Sequence, residues 1–157
     1  MGLRYERELT ERFAVFVAQN MESDVFAGYI QKYSSDVGGK YHIFKTEEQK
    51  WFVEAGYRFT RENRLNGQHL NFNYGRVYTE AERQWNKSFS TKLWVECLPN
   101  FTVSEDWQIN TEASITAMLN EIFSIKTAYL LRFDNQPAPG ATRKTDSTFT
   151  TSLVAKF

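Results

Sequence analysis

The stretch Trp107–Asp134, WQINTEASITAMLNEIFSIKTAYLLRFD, decides the fold. In its first part, Trp107, Ile109, Thr111, Ala113, Ile115, Ala117 and Leu119 occupy alternate positions. Gln108, Asn110, Glu112, Ser114 and Thr116 lie between them. The pattern resumes with Phe123, Ile125, Thr127, Tyr129, Leu131 and Phe133, set against Ser124, Lys126, Arg132 and Asp134. A repeat of two is the period of a strand with unlike faces, whereas an amphipathic helix repeats every 3.6 residues. The two runs are separated only by NEI (120–122), so they predict an antiparallel hairpin.

The same alternation recurs outward from this hairpin. Trp51, Val53, Ala55, Tyr57 and Phe59 oppose Glu54, Gly56, Arg58 and Thr60. Phe89, Thr91, Leu93, Val95 and Cys97 oppose Ser90, Lys92 and Glu96. Leu70, Phe72 and Tyr74, read as an apolar face, oppose His69, Asn71 and Asn73. The pattern predicts nine strands, at 2–9, 12–22, 28–45, 49–61, 68–85, 88–98, 106–119, 123–134 and 145–157, in one all-β domain covering 1–157. With no helix-length segment between them, they predict an antiparallel up-and-down meander.

Composition narrows the function classes. The chain has no net formal charge and no basic block, which gives nucleic-acid binding no electrostatic support. Its longest apolar runs, such as FAVFVA, have six residues, against the ~20 that a spanning helix needs. One cysteine, Cys97, cannot form an internal disulfide, and no Cys/His cluster suggests a metal or cofactor. The first residues, MGLRYERELTERF, contain no signal-peptide apolar core.

The connections alternate in length. TE (10–11), TEE (46–48), NK (86–87) and NEI (120–122) are tight, while 23–28, 61–67, 99–106 and 135–144 are longer. Alternate connections of a meander lie at one end of the sheet, so the tight turns share one end and the long loops the other. A transmembrane β-barrel sorts its loops in this way. Aromatic residues gather near strand ends, at Trp51, Phe59, Trp85, Trp107, Phe123, Phe133, Phe149 and Phe157, where interfacial girdles would lie. These features predict a bacterial outer-membrane barrel. Alternation alone also fits a soluble, lipocalin-like ligand-binding barrel, because turning a barrel inside out leaves the period unchanged.

A resemblance adds to this reading. Tyr5, Glu6, Arg7, Leu9 and Thr10, then Asp24, Phe26 and Gly28, and finally Asp134, Pro137, Thr145, Asp146, Ser152, Leu153, Val154, Lys156 and Phe157 carry it. Over essentially the whole chain the sequence resembles the salt-induced outer membrane protein family of Gram-negative bacteria, a family of unknown function. The resemblance implies an outer-membrane location, a surround of lipid and lipopolysaccharide, and insertion by the outer-membrane assembly machinery. That machinery reads a last strand ending in an aromatic residue, here Phe149, Leu153 and Phe157. It implies no catalytic residues and no cofactor.

Counting raises a topological expectation. With nine strands, the first and last run the same way and cannot close antiparallel, whereas single-chain bacterial barrels have even strand numbers. Further strands and a signal peptide are expected upstream of Met1.

By parity, Glu54, Arg58, Lys92, Glu96, Glu112, Lys126 and Arg132 should form an interior charge network. Arg4, Lys32, Lys40, Lys156, Glu6, Glu8, Glu22, Asp36 and Asp134 share its face. Balanced signs predict mutual pairing and a structural or envelope-stress protein, with a narrow passive pore as the functional variant. Glu80, Glu82, Asp24 and Asp106 read as solvated loop charge. His42 and His69, the only histidines, raise the weaker alternative of an outer-membrane lipid hydrolase, but neither has a serine beside it in the strand layout. The chain is expected not to be an enzyme. Gly38, Gly39 and Gly56 inside strands predict bending or close packing of large neighbours. The sequon at Asn100 reads as a chance match.

Overall fold

The structure, a computed structural model, describes residues 1–25, 29–137 and 143–155, and of Asp24 the backbone alone. Nine strands follow one another: β1 (Gly2–Glu8), β2 (Phe13–Asp24), β3 (Tyr29–Lys45), β4 (Gln49–Arg64), β5 (His69–Asn86), β6 (Phe89–Pro99), β7 (Trp107–Met118), β8 (Phe123–Asp134) and β9 (Thr145–Ala155). They form one sheet in sequence order, and every neighbouring pair is antiparallel. The predicted meander is therefore the observed one. Among the described residues no helix is long and apolar enough to cross a membrane, which says nothing of crossing by strands.

The hairpin that opened the reading behaves as its alternation requires. Ile109 faces Phe133, Ala113 faces Tyr129 and Ala117 faces Ile125 across β7 and β8. Asn120 closes the turn: its side-chain oxygen accepts from the Ile122 and Phe123 amides at 2.9 and 2.8 Å. Thr10 and Thr46 do the same work in two other tight turns, accepting from Phe13 and Gln49, each at 3.0 Å. Side-chain acceptors of this kind satisfy amides that leave the ladder.

Register explains why the faces stay separate. Through most of the sheet, odd residues pair with odd residues. One row runs Tyr5, Val17, Val37, Tyr57 and Gly75. Another runs Trp51, Ala81, Leu93, Ala113, Tyr129 and Phe149. These rows form the outer face, where Val37, Tyr57, Val77, Leu93, Ile115, Tyr129, Phe149 and Leu153 are all exposed. Even residues form the inner face, in rows such as Lys40, Glu54, Tyr78, Glu96, Asn110 and Arg132. The apolar-in, polar-out order of a water-soluble barrel is inverted.

The sheet curls strongly but is not closed. Arg132 on β8 reaches to within 3.8 Å of Glu22 on β2. Among the described residues β1 pairs only with β2, and β9 only with β8. β1 and β9 run the same way, so an antiparallel seam between them is excluded.

Curling needs room on the concave side, and two paired glycines supply it. Gly38 on β3 faces Gly56 on β4. A Cβ at Gly38 would lie 2.6 Å from the Ala55 carbonyl oxygen and 2.9 Å from Phe16 Cζ. One at Gly56 would lie 2.4 Å from the Val37 carbonyl oxygen. The space is taken by Phe16, one of the few fully buried side chains. Gly39, on the opposite face, has the Phe13 ring 3.2 Å from its would-be Cβ.

One parity reading needs correction. Leu70, Phe72 and Tyr74 alternate as the apolar face of their half-strand, but Tyr74 pairs with Arg58 and Phe72 with Thr60, so all three face inward with the charges. The even face of β5 starts aromatic and becomes charged at Arg76, so the half-strand alone gives the wrong sign.

Candidate functional site

The inner face carries a connected set of ion pairs across its middle rows. Glu54 on β4 is 2% exposed. It accepts from Arg4 Nη2 at 2.7 Å and Nη1 at 3.2 Å, and from Arg76 Nη1 at 2.7 Å. Arg76 on β5 turns its Nε to Glu96 on β6 at 2.6 Å. Glu96 also accepts from Arg58 Nη2 at 3.1 Å and from Asn110 Nδ2 at 3.2 Å. Arg58 in turn forks onto Asp36 of β3, Nε to Oδ1 at 2.6 Å and Nη2 to Oδ2 at 2.9 Å. At the β1 side, Glu6 accepts from Arg4 at 2.7 Å and from Lys40 at 3.0 Å. The cluster thus holds Arg4, Lys40, Arg58 and Arg76 against Glu6, Asp36, Glu54 and Glu96, with the signs balanced.

Burying charges costs several kcal/mol per ion unless partners replace the lost water. That condition is met with forked guanidinium–carboxylate geometry, the strongest pairing that side chains offer. Aromatic faces complete the environment: the Arg4 guanidinium lies 4.0 Å from the Phe16 ring centre and Lys40 lies 4.2 Å from that of Phe52.

Of the seven predicted network residues, the structure brings Glu54, Arg58 and Glu96 into this cluster. Lys92, Glu112, Lys126 and Arg132 share the inner face but pair outside it: Lys92 with Glu80 at 2.8 Å, Lys126 with Glu112 at 3.9 Å, and Arg132 with Glu22 at 3.8 Å. The hub Arg76 was missed, because it shares parity with Tyr74 on what read as an apolar face. Following that parity to Glu80 and Glu82 would have found it.

Other readings also change. Glu80 and Glu82 are not loop charges but inner-face residues of β5. Asp106 is not solvated: it is buried, accepting from Asn100 Nδ2 at 2.6 Å and Tyr74 Oη at 3.1 Å. The Asn100 side chain is itself buried, and its oxygen accepts the Thr102 amide at 2.7 Å, so the sequon residue organises the β6–β7 loop. Asp24 ends β2, with its side chain outside the described residues.

On the long-loop side of the cluster lies a cavity of about 1110 Å³, to which all nine strands contribute. Arg58 and Glu96 border it from the cluster, and Lys32, Glu62 and Asp134 line it further out. His42, Phe52, Tyr78 and Trp94 form a series of tilted ring contacts, with ring centres 5.8–5.9 Å apart, that ends at the cavity, which Trp94 also lines. His42 Nε2 is buried there without a hydrogen bond. His69 is exposed at the start of β5, its Nδ1 2.7 Å from Asn63 Oδ1. Among the described residues no serine hydroxyl bonds either imidazole, and no group of His, Cys, Asp and Glu is placed to hold a metal ion.

Phe149 and Leu153 stand on the outer face of β9, while Lys156 and Phe157 lie outside the described residues, as do Phe26 and Gly28. Six of the predicted girdle aromatics, Trp51, Phe59, Trp85, Trp107, Phe123 and Phe149, are exposed. Phe133 packs on Trp107 with ring centres 4.9 Å apart.

Taken together these features define a class, the all-antiparallel up-and-down sheet with paired charge inside and apolar side chains outside. Within it the chain belongs to a particular family: the model described as "Protein of unknown function, DUF481" matches residues 1–157. Comparison with curated proteins returns no match.

Proposed function

We propose that this protein is a bacterial outer-membrane β-barrel component with a structural or envelope-stress role, its lumen obstructed by ion pairs. The observation that carries the proposal is the inversion of polarity. Glu54, Arg76, Glu96 and Asp36 are buried against one another while Val37, Val77, Leu93, Tyr129 and Phe149 are exposed. Exposed apolar surface this continuous is unfavourable in water and marks a surface normally covered. Lipid covers such a band on outer-membrane barrels, whose interiors are polar. Strands of 11 to 18 residues from β2 to β9 are long enough for a tilted crossing, which takes ~9–11.

The same inversion argues against the lipocalin-like alternative, which needs an apolar interior for its ligand. The lipid-hydrolase alternative has no serine–histidine pair among the described residues to support it. A narrow passive pore remains as a variant, supported by the cavity beside Arg58 and Glu96. The envelope-stress and salt-induced parts rest on the sequence resemblance alone.

Membrane fractionation and gel mobility test the proposal. The chain should partition with outer membranes when exported. It should also refold into detergent or vesicles as a species that migrates differently boiled and unboiled. A chain that stays in solution without detergent, with one mobility, overturns it.

A further inference from the structure

The outer face carries a groove that the polarity argument does not use. It has a volume of about 670 Å³ and lies toward the tight-turn end of the sheet. Its floor is the small-residue part of one row, Ala81, Leu93 and Ala113. Trp51 bounds that row on one side, and Tyr129 and Phe149 bound it on the other. Trp85 closes it toward the turns. Two indole N–H groups are already satisfied inside the wall, Trp51 Nε1 by Thr79 at 3.0 Å and Trp85 Nε1 by Thr91 at 2.9 Å. The wall therefore presents aromatic carbon to whatever occupies the groove.

The rim is cationic. Arg83 is on the same outer face, one row nearer the turns than Ala81, and its guanidinium stacks 4.1 Å from the Trp85 ring centre. It makes no ion pair among the described residues. Among the described residues the outward positions of the strands carry no carboxylate; their charged residues are Arg7, Arg61 and Arg83, all near strand ends, while Lys50, Glu82 and Lys92 belong to the groove's lining from inward positions. An unpaired arginine held flat on an indole, above an apolar trough, is complementary to a phosphate that bears an acyl chain.

We infer that this groove is a binding site for one anionic phospholipid, its phosphate on Arg83 and an acyl chain along Ala81, Leu93 and Ala113. The inference rests on the membrane reading above and places the site in the leaflet on the tight-turn side. The occupant is a lipid because, inside the rim, the outward part of the lining is aromatic and aliphatic carbon apart from the hydroxyls of Thr127, Tyr129 and Thr91, the last engaged by Trp85, and its volume falls in the range of single-molecule sites.

Tryptophan quenching by brominated lipids tests this with the full chain refolded into phosphatidylcholine vesicles. A few mole per cent of lipid with dibrominated acyl chains is added, either as phosphatidylglycerol or as phosphatidylcholine. The brominated phosphatidylglycerol should show roughly fivefold higher occupancy next to Trp51 and Trp85, the ratio expected for one basic residue near anionic headgroups. Arg83→Gln should remove that preference and leave the quenching by phosphatidylcholine unchanged. Ala113→Phe, which fills the trough from an outward position without adding a fluorophore, should lower quenching by both lipids. Equal quenching by the two lipids in an inserted protein, unaltered by Arg83→Gln, overturns the site and leaves the membrane reading standing. Absence of quenching by either lipid, with a single gel mobility, overturns both.

Discussion

Replacing Glu54 by alanine is the sharpest test of the interior. Three N–H bonds converge on this carboxylate. Without it, Arg4 Nη1 and Arg76 Nη1 lose their protein partners, while Arg4 Nη2 keeps Glu6 at 2.7 Å and Arg76 Nε keeps Glu96 at 2.6 Å. The cluster then holds one uncompensated positive charge, shared by Arg76, whose side chain is 9% exposed, and Arg4, which at 35% can still reach water. Removing one partner of a buried pair costs ~3–5 kcal/mol, and the surviving partners put Glu54→Ala at the lower end, about 3 kcal/mol. Urea unfolding of the vesicle-refolded protein, followed by tryptophan fluorescence and gel mobility, measures the loss. Glu112→Ala is the internal control: its Lys126 partner is 3.9 Å away and 42% exposed, so the loss should be under ~1 kcal/mol. Equal small losses for both variants would refute the view that the central cluster is a dry, mutually dependent unit.

Further outcomes follow from the same geometry. Val77→Arg, on the outer face at mid-strand of β5, should cost ~2–4 kcal/mol if lipid covers that face but only about 0.5 kcal/mol if water does; vesicle unfolding against wild type separates the two. Gly38→Ala forces a Cβ to 2.6 Å from the Ala55 carbonyl, an overpacking that should cost ~1–3 kcal/mol by the same assay. Liposomes containing the protein should swell little or not at all in sugar-sized solutes if it forms the proposed barrel with the paired cluster obstructing the interior; rapid swelling would count against that. Vesicles refolded with the His42→Ala or His69→Ala variant should release no less fatty acid than wild type, and a drop would revive the hydrolase alternative.

The sequence by itself determined the strands, because a period of two is plain in the segments from β4 to β8, though weaker in β1 to β3, and the tight turns carry their own side-chain acceptors. Predicted and observed strand limits differ by three residues or fewer, as at β4, which continues to Arg64. It also determined that charge and apolar carbon lie on opposite faces, since register pairs odd with odd across the sheet. What it left open was which face is inside, because alternation is symmetric under that exchange. Tertiary structure decided it through curvature: Gly38, Gly56 and Phe16 let the sheet bend toward the even face, and the charges went with it. The hub Arg76 shows the limit of local pattern. Its neighbours Phe72 and Tyr74 made its face look apolar, and only the curl that brings Glu54 and Glu96 to either side makes it the centre of the cluster. The groove beside Arg83 is likewise a product of lateral register, assembled from seven strands, with Phe44 of β3 and Phe149 of β9 at its edges. No single segment contains enough of it to be read.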